Sequence, residues 1–263
     1  MCPFLQSITK AQVLTALDNG ELRLYYQPLY HFRTKQFEAV EALLRWQHPK
    51  EGLLLPEEFL PQLDAIGMSV PLGSWVLNQA CEQFHAWVES GVKIDRVAVN
   101  VHKQQWYEKD FVGQVVTILK TKGMAAHQLE LEITEDIPIH ENDQALIETI
   151  KRLRGLGVRI ALDDFGRGYS NANHLKHIPV DHIKIDKAYV AHDALIVENF
   201  IKLAERYRAG VVIEGVESYE QLMALLSNEG LIAQGHYFSE AVSAKDAGDF
   251  LRYYQQHPFP LVG

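Results

Sequence analysis

Residues 22–45 read LRLYYQPLYHFRTKQFEAVEALLR, and their patterning decides the fold. Two runs rich in Leu, Tyr, Phe and Val, Leu22–Gln27 and Phe37–Arg45, have the composition of β-strands. The segment between them leaves no room for a helix, and a short connection makes antiparallel neighbours. Working outward, the next strand-like runs are Arg96–Val101, Leu129–Ile133, Val158–Leu162, His182–Ile185, Val211–Ile213 and Leu231–Gln234. Helical spacing fills most of the intervals. One helix opens with Pro56 and stops at Gly67. Another repeats apolar residues from Leu72 through Trp75, Val76, Ala80, Phe84 and Trp87 to Gly91. Further helical segments are Val112–Leu119, Gln144–Leu153, Leu195–Tyr207 and Tyr219–Leu226, preceded by a short N-terminal helix over 7–20.

About eight strands alternating with helices is the tally of a (β/α)8 barrel, and 263 residues fit one such barrel of about 250. A doubly wound open sheet shares the alternation. The antiparallel start favours an α/β fold of TIM type with one strand running against the rest. With no Pro/Gly/Ser-rich linker, the expectation is a single unit over 1–263, its barrel spanning about 21–255.

The chemistry is written at the strand ends. In chain order they carry Gln27, Glu41, Asn100, Glu132, Asp163 with Asp164, Lys184, Glu214 and Gln234. In a parallel barrel these ends converge on one mouth, where active sites sit. Residues two apart share a strand face, so Glu41 goes with Leu43 and Arg45, Glu132 with Glu130, and Asn100 with Ala98 and His102. Any one such carboxylate is ordinarily a solvated loop residue or a helix cap. Together they repel one another unless a counter-charge joins them, and the natural one is a divalent metal.

The donor set Glu41, Asn100, Glu132, Asp163, Asp164 and Glu214 is all oxygen, which suits Mg2+, Mn2+ or Ca2+ rather than zinc. Carboxylates around two ions are the arrangement of phosphate-ester displacement: one ion activates a water, the other stabilises the leaving oxygen. Lys184 at the same mouth would polarise the water or neutralise the phosphorane. The loop Asp163-Asp164-Phe165-Gly166-Arg167-Gly168-Tyr169-Ser170 is a weak phosphate loop by itself; its value lies in the acids that open it.

Composition narrows the partners. The formal charge is −9, against a protein that coats nucleic-acid polymers or a polybasic membrane binder. Glu41, Glu132, Asp163, Asp164, Glu214 and Glu217, less Lys184, account for much of the excess. The 2 cysteines, Cys2 and Cys81, suit a reducing compartment. The N-terminus lacks the n- and h-regions of a signal peptide, and no run approaches a membrane span, so a cytoplasmic location is expected.

The ordered motifs YYQP at Tyr25–Pro28, EALLRW at Glu41–Trp46, VAVNV at Val97–Val101, the acids Glu132 and Glu135, DDFGRGYS at Asp163–Ser170, PVDHIKID at Pro179–Asp186, EGVE at Glu214–Glu217 and QGHYFS at Gln234–Ser239 resemble the EAL-domain family of bacterial cyclic-di-GMP phosphodiesterases. The resemblance runs from about Leu22 to about Phe250. It implies hydrolysis of cyclic di-GMP to linear pGpG with Mg2+ or Mn2+, inhibition by Ca2+, and metal ligation by the six oxygen donors above. It also implies catalytic roles for Glu41, Lys184 near the attacking water, Glu214 as ligand or general base, and Glu135 as holder of the DDFG loop. Gln27, Arg45, Gln234 and Glu217 match positions at the substrate.

Several positions depart from the family pattern: Arg167, His102-Lys103 in place of a common Ser-Ala, Asp64-Ala65 in place of a Glu pair, Ala241, and a short 186–214 stretch. That stretch often takes part in dimer formation, so a homodimer is an expectation, as is a regulatory domain outside this chain. A catalytically silent cyclic-di-GMP receptor or protein-interaction module is the competing reading. Silent members usually lose metal-site acids, and all are retained here.

Overall fold

The computed structural model describes residues 8–135, 137, 143–166, 171–190, 194–225, 228 and 230–261. Cys2 and the 167–170 part of the glycine loop, Arg167 included, lie outside the described residues. In chain order the elements are α1 (Lys10–Asp18), β1 (Leu22–His31), β2 (Gln36–His48), β3 (Gly52–Leu54), α2 (Pro56–Ala65), α3 (Ser69–Glu89), β4 (Arg96–Asn100), α4 (Lys103–Trp106), α5 (Phe111–Thr121) and β5 (Leu129–Thr134). Then come α6 (Gln144–Gly155), β6 (Arg159–Phe165), α7 (Asn171–His177), β7 (His182–Ile185), α8 (Lys187–Val190), α9 (Ala194–Arg206), β8 (Gly210–Ile213), α10 (Tyr219–Leu225), β9 (Leu231–Ala233), β10 (Val242–Ser243) and α11 (Ala244–Gln256).

Among the described residues, eight strands close into a ring in the order β1-β9-β8-β7-β6-β5-β4-β2, with β1 pairing back onto β2. β1 is antiparallel to both neighbours, and every other ring pairing is parallel. The hairpin expected from residues 22–45 is therefore what sets β1 against the rest. Both its strands run longer than composition marks, Leu22–His31 and Gln36–His48, because pairing on both edges carries the ladder through Pro28 and the polar ends. β3 and β10 are short additions on the outside of β2 and β1.

Of the other boundaries, three move furthest. α1 begins at Lys10 rather than 7, because Thr9 and Gln12 form a capping box. α3 begins at Ser69, before the first strongly periodic residue. β6 does not end at Leu162 but continues through both acids to Phe165.

Two layers form the interior. Val97, Val99, Leu131, Ile133, Ile160, Leu162, Ile183 and Ile185 face outward into a common core with buried residues of the surrounding helices, such as Leu72, Phe84, Ile150 and Val197. Inside the ring a smaller apolar plug of Leu29, Ala39, Val212 and Ile232 fills the waist, beside the fully buried Ala98 and Ala161.

Below the plug, at the strand starts, lies a charged layer. Glu130 is buried against Arg96 at 3.3 Å and hydrogen-bonds to His182. Burial pushes its carboxyl up, but the charges of His182 and Arg96 hold it at about 2. Gly210 leaves room for this layer, since a Cβ there would lie 2.6 Å from the His182 ring. Glu130→Ala strands Arg96 as a buried, unpaired cation and is expected to cost about 3–5 kcal/mol, read by urea unfolding. Because the folded pKa is depressed, the wild-type contribution is present above the ordinary carboxylate range and disappears as pH falls toward 2.

Candidate active site

At the opposite end of the plug, the inward-facing positions two residues further along the strands bring the polar strand ends together. Lys184, 1% exposed, sits at their centre. Its ammonium lies 2.9 Å from Glu132, 2.9 Å from Glu214, 3.2 Å from Glu41 and 3.2 Å from Asp163. Asn100 Nδ2 donates to Glu41 Oε1 at 2.7 Å. Gln234 Nε2 donates to Glu41 Oε2 at 2.8 Å and to Gln27 Oε1 at 2.8 Å, and Gln27 Nε2 donates to the Ser239 carbonyl at 3.0 Å. Gln27 and Gln234, expected at the substrate, therefore also brace Glu41 across the seam where β1 closes the ring.

Asp163 and Asp164 are consecutive, so a regular strand would send them to opposite faces. Asp164 instead adopts a left-handed backbone (φ 56°), at a register shift between β6 and β7. This irregularity turns its carboxylate to the mouth. There Asp164, Asp186 and Glu214 each place a carboxylate oxygen within 4.8 Å of the others. The acids thus form two lobes that share Glu214, one closed around Lys184 and one made with Asp186.

Asp186 is the residue absent from the sequence-derived set. It stands two positions after Lys184 on the inward face, and the parity rule applied to β7 reaches it.

Glu135 accepts the Gly166 backbone N–H at 3.0 Å, tying the end of β6 to the segment after β5. Gly166 has φ 109°, and a Cβ there would lie 2.5 Å from the Tyr189 ring. Arg45 is half-buried on the Glu41 face, its Nη1 donating to the Leu44 carbonyl at 2.8 Å. Glu217 is exposed, and its backbone N–H is bound to Gln221. His102 caps α4 and pairs with Asp64 at 2.9 Å, a hydrogen-bonded rim residue.

Electrostatically the site lacks positive charge. Burial pushes the Lys184 ammonium down, but the surrounding acids hold it well above its ordinary range. Burial together with Glu41 and Asp163 drives the Glu132 carboxyl far up despite Lys184. Burial raises Glu214 to about 8, with Asp163 and Glu41 adding to the effect. Glu41 ends below its usual value: burial raises it, but Lys184, Gln234 and Asn100 outweigh that.

One ammonium cannot satisfy this many carboxylates. Glu132 Oε1 is buried without a hydrogen-bond partner, as is Gln234 Oε1. Orphaned hard-oxygen donors in a ring short of cations are what a divalent-ion site requires. From the ring a cleft of about 580 Å3 extends between β2, α2, α3 and α4, lined at one end by Glu41, Asn100, Asp163 and Asp164.

The EAL domain family matches residues 10–241, and the chain belongs to that family. Among curated relatives, the cyclic di-GMP phosphodiesterase NbdA of Pseudomonas aeruginosa is 37% identical over 246 residues, covering 91% of this chain and 31% of NbdA. The bifunctional diguanylate cyclase/cyclic di-GMP phosphodiesterase MucR of the same organism is 36% identical, covering 78% of this chain and 31% of MucR. The chain thus spans about a third of the length of these relatives.

Among solved structures, the PaMucR phosphodiesterase in complex with c-di-GMP superposes with a TM-score of 0.83 at 33% identity, covering 90% of this chain and 98% of that one. The EAL domain of Mycobacterium smegmatis DcpA gives 0.75 at 31% identity, covering 92% and 99%. Among the described residues, no helix is long and apolar enough to cross a membrane.

Proposed function

We propose that the chain is a metal-dependent phosphodiesterase that hydrolyses cyclic di-GMP to linear pGpG. The observation that carries this reading is the buried ring of Glu41, Glu132, Asp163 and Glu214 around Lys184, with Glu132 Oε1 left unpartnered. Glu41, Asn100, Glu132 and Asp163 on one side, and Asp164, Asp186 and Glu214 on the other, are the residues to hold Mg2+ or Mn2+. When bound, such ions lower the pKa of a water and neutralise the leaving oxygen.

The chain's own residues do the rest. In the reaction a water oxygen bonds to phosphorus, the P–O3′ bond breaks, and the proton given up by that water ends on the released ribose oxygen. Lys184 stabilises the charge that develops on phosphorus and meets the attacking water together with Glu214. Arg45 orients the phosphate as a charge-assisted donor. Gln27, Gln234 and Asn100 fix the angle of Glu41, and Glu135 fixes the loop carrying the paired acids. Glu217, exposed beside α10, contacts substrate from the rim.

The reading extends to inhibition by Ca2+, a cytoplasmic setting, pairing with a second copy and regulation by a segment outside this chain. Turnover with Mg2+ or Mn2+, lost in EDTA and suppressed by Ca2+, is the test.

Metal binding also has a stability readout that needs no turnover. An ion at a hundred times its Kd stabilises the folded state by about 2.7 kcal/mol. Calorimetry is expected to find the unfolding midpoint roughly 5 °C or more higher in Mg2+ than in EDTA. Equal midpoints would argue against a metal site.

A further inference from the structure

We propose that Asp64, held in place by His102 and Ser69, reads the guanine edge of the dinucleotide by accepting from its N1–H and 2-amino groups. The proposal rests on the cyclic-di-GMP reading above and adds the residue that selects the base.

The cleft lined by Glu41 and Asp163 is also lined by Asp64, Ser69 and His102. A dinucleotide with a phosphate at the acid ring would place a base in the same cleft, within which Asp64 is the carboxylate outside the ring that is held by Ser69 and His102. Leu43, Leu60, Leu72 and Val76 line the same cleft, apolar contacts suited to the face of a purine ring. The Asp64 side chain is 36% exposed and lines the cleft.

Its orientation is fixed by two neighbours. Ser69 Oγ donates to Oδ1, and His102 Nε2 lies 2.9 Å from Oδ1 and 3.1 Å from Oδ2. The Gln104 backbone N–H donates to His102 Nδ1, which leaves the ring proton on Nε2 to be given to Asp64. Gln105 in turn accepts the His102 backbone N–H at 3.1 Å and packs over Gly73, where a Cβ would lie 2.0 Å from Gln105 Oε1. With these two donors engaged, what the carboxylate offers a ligand is its remaining acceptor lone pairs.

Guanine offers two adjacent donors, N1–H and the 2-amino group. Adenine offers an acceptor at N1, which a carboxylate repels. The two departures from the family pattern at this rim thus belong together. An Asp is one methylene shorter than the usual Glu, and the longer His102 supplies the supporting donor where a Ser is common. His102 acts through Asp64 and is a positioning residue.

Isothermal titration on the intact chain, with Ca2+ replacing Mg2+ to suppress turnover, compares cyclic di-GMP with cyclic di-IMP, which lacks only the 2-amino group. Wild type is expected to bind cyclic di-GMP about 10- to 100-fold more tightly, the worth of one hydrogen bond to a charged group. Asp64→Ala is expected to bring the two affinities within about twofold of each other. His102→Ala is expected to shrink the preference, and His102→Gln, which retains a donor, to restore it. A purely structural tether between α2 and α4 would weaken both ligands equally and leave their ratio unchanged.

The wild-type comparison needs no variant to fold. Equal wild-type affinities, or a ratio untouched in Asp64→Ala, would overturn the base-reading role while leaving the phosphodiesterase reading standing. Binding of neither dinucleotide would overturn both.

Discussion

Lys184→Met is expected to cut turnover of cyclic di-GMP by at least about a hundredfold and to destabilise the metal-free protein by about 3–5 kcal/mol. Both effects follow from one contact set. The ammonium lies within 3.2 Å of Glu41, Glu132, Asp163 and Glu214 and is almost completely buried. Removing it leaves the carboxylates facing one another in a site from which water is largely excluded. Breaking a buried ion pair costs far more than losing a surface one, because the remaining charge has no solvent to fall back on. Calorimetry in EDTA reads the stability term. Adding Mg2+ should recover part of it, since cations then replace the lost counter-charge. A variant as stable as wild type in EDTA would mean that Lys184 is not the counter-charge of the ring.

Glu41→Ala has the larger catalytic effect, a loss of about a thousandfold or more, because metal-centred charge stabilisation is worth several kcal/mol. Glu41 accepts from Asn100, Gln234 and Lys184, so its removal also frees the groups that hold the mouth in shape. Gln27→Ala provides the graded comparison. Gln27 stands opposite Glu41 in the hairpin and is hydrogen-bonded to it through Gln234, so this variant is expected to lose much less activity, with more of the loss in KM if Gln27 also touches substrate. Steady-state kinetics on both variants separates the two roles. Equal losses would place Gln27 in the catalytic ring itself.

The barrel was legible because strand-like runs that end in polar residues alternate with helical ones and because the hairpin of residues 22–45 leaves no room for a crossover. β3 and β10 were not, since strands of three and two residues carry no periodicity. Of the site, the inward parity of Glu41, Asn100, Glu132 and Asp163 could be read from spacing alone. Parity applied to β7 also contains Asp186, but its position at the strand's edge hid it among motif residues.

Asp164 breaks parity, and only the left-handed backbone explains how consecutive acids reach one mouth. The sharing of Lys184 among four carboxylates could not be read in advance. Neither could the Gln27–Gln234–Glu41 chain, because each joins strands that meet only when the ring closes. The Asp64–His102 pair shows the same limit: two separate oddities in the sequence become one contact in the fold.

The central claim is hydrolysis that depends on the acid ring and its metal. Its most direct test is the conversion of cyclic di-GMP by the purified chain with Mg2+ or Mn2+, followed by chromatography of the products, with EDTA and Glu41→Ala as controls. The expected result is stoichiometric pGpG with metal and none in either control. Turnover that persists in EDTA or in Glu41→Ala, or intact cyclic di-GMP after incubation with both metals, would contradict it.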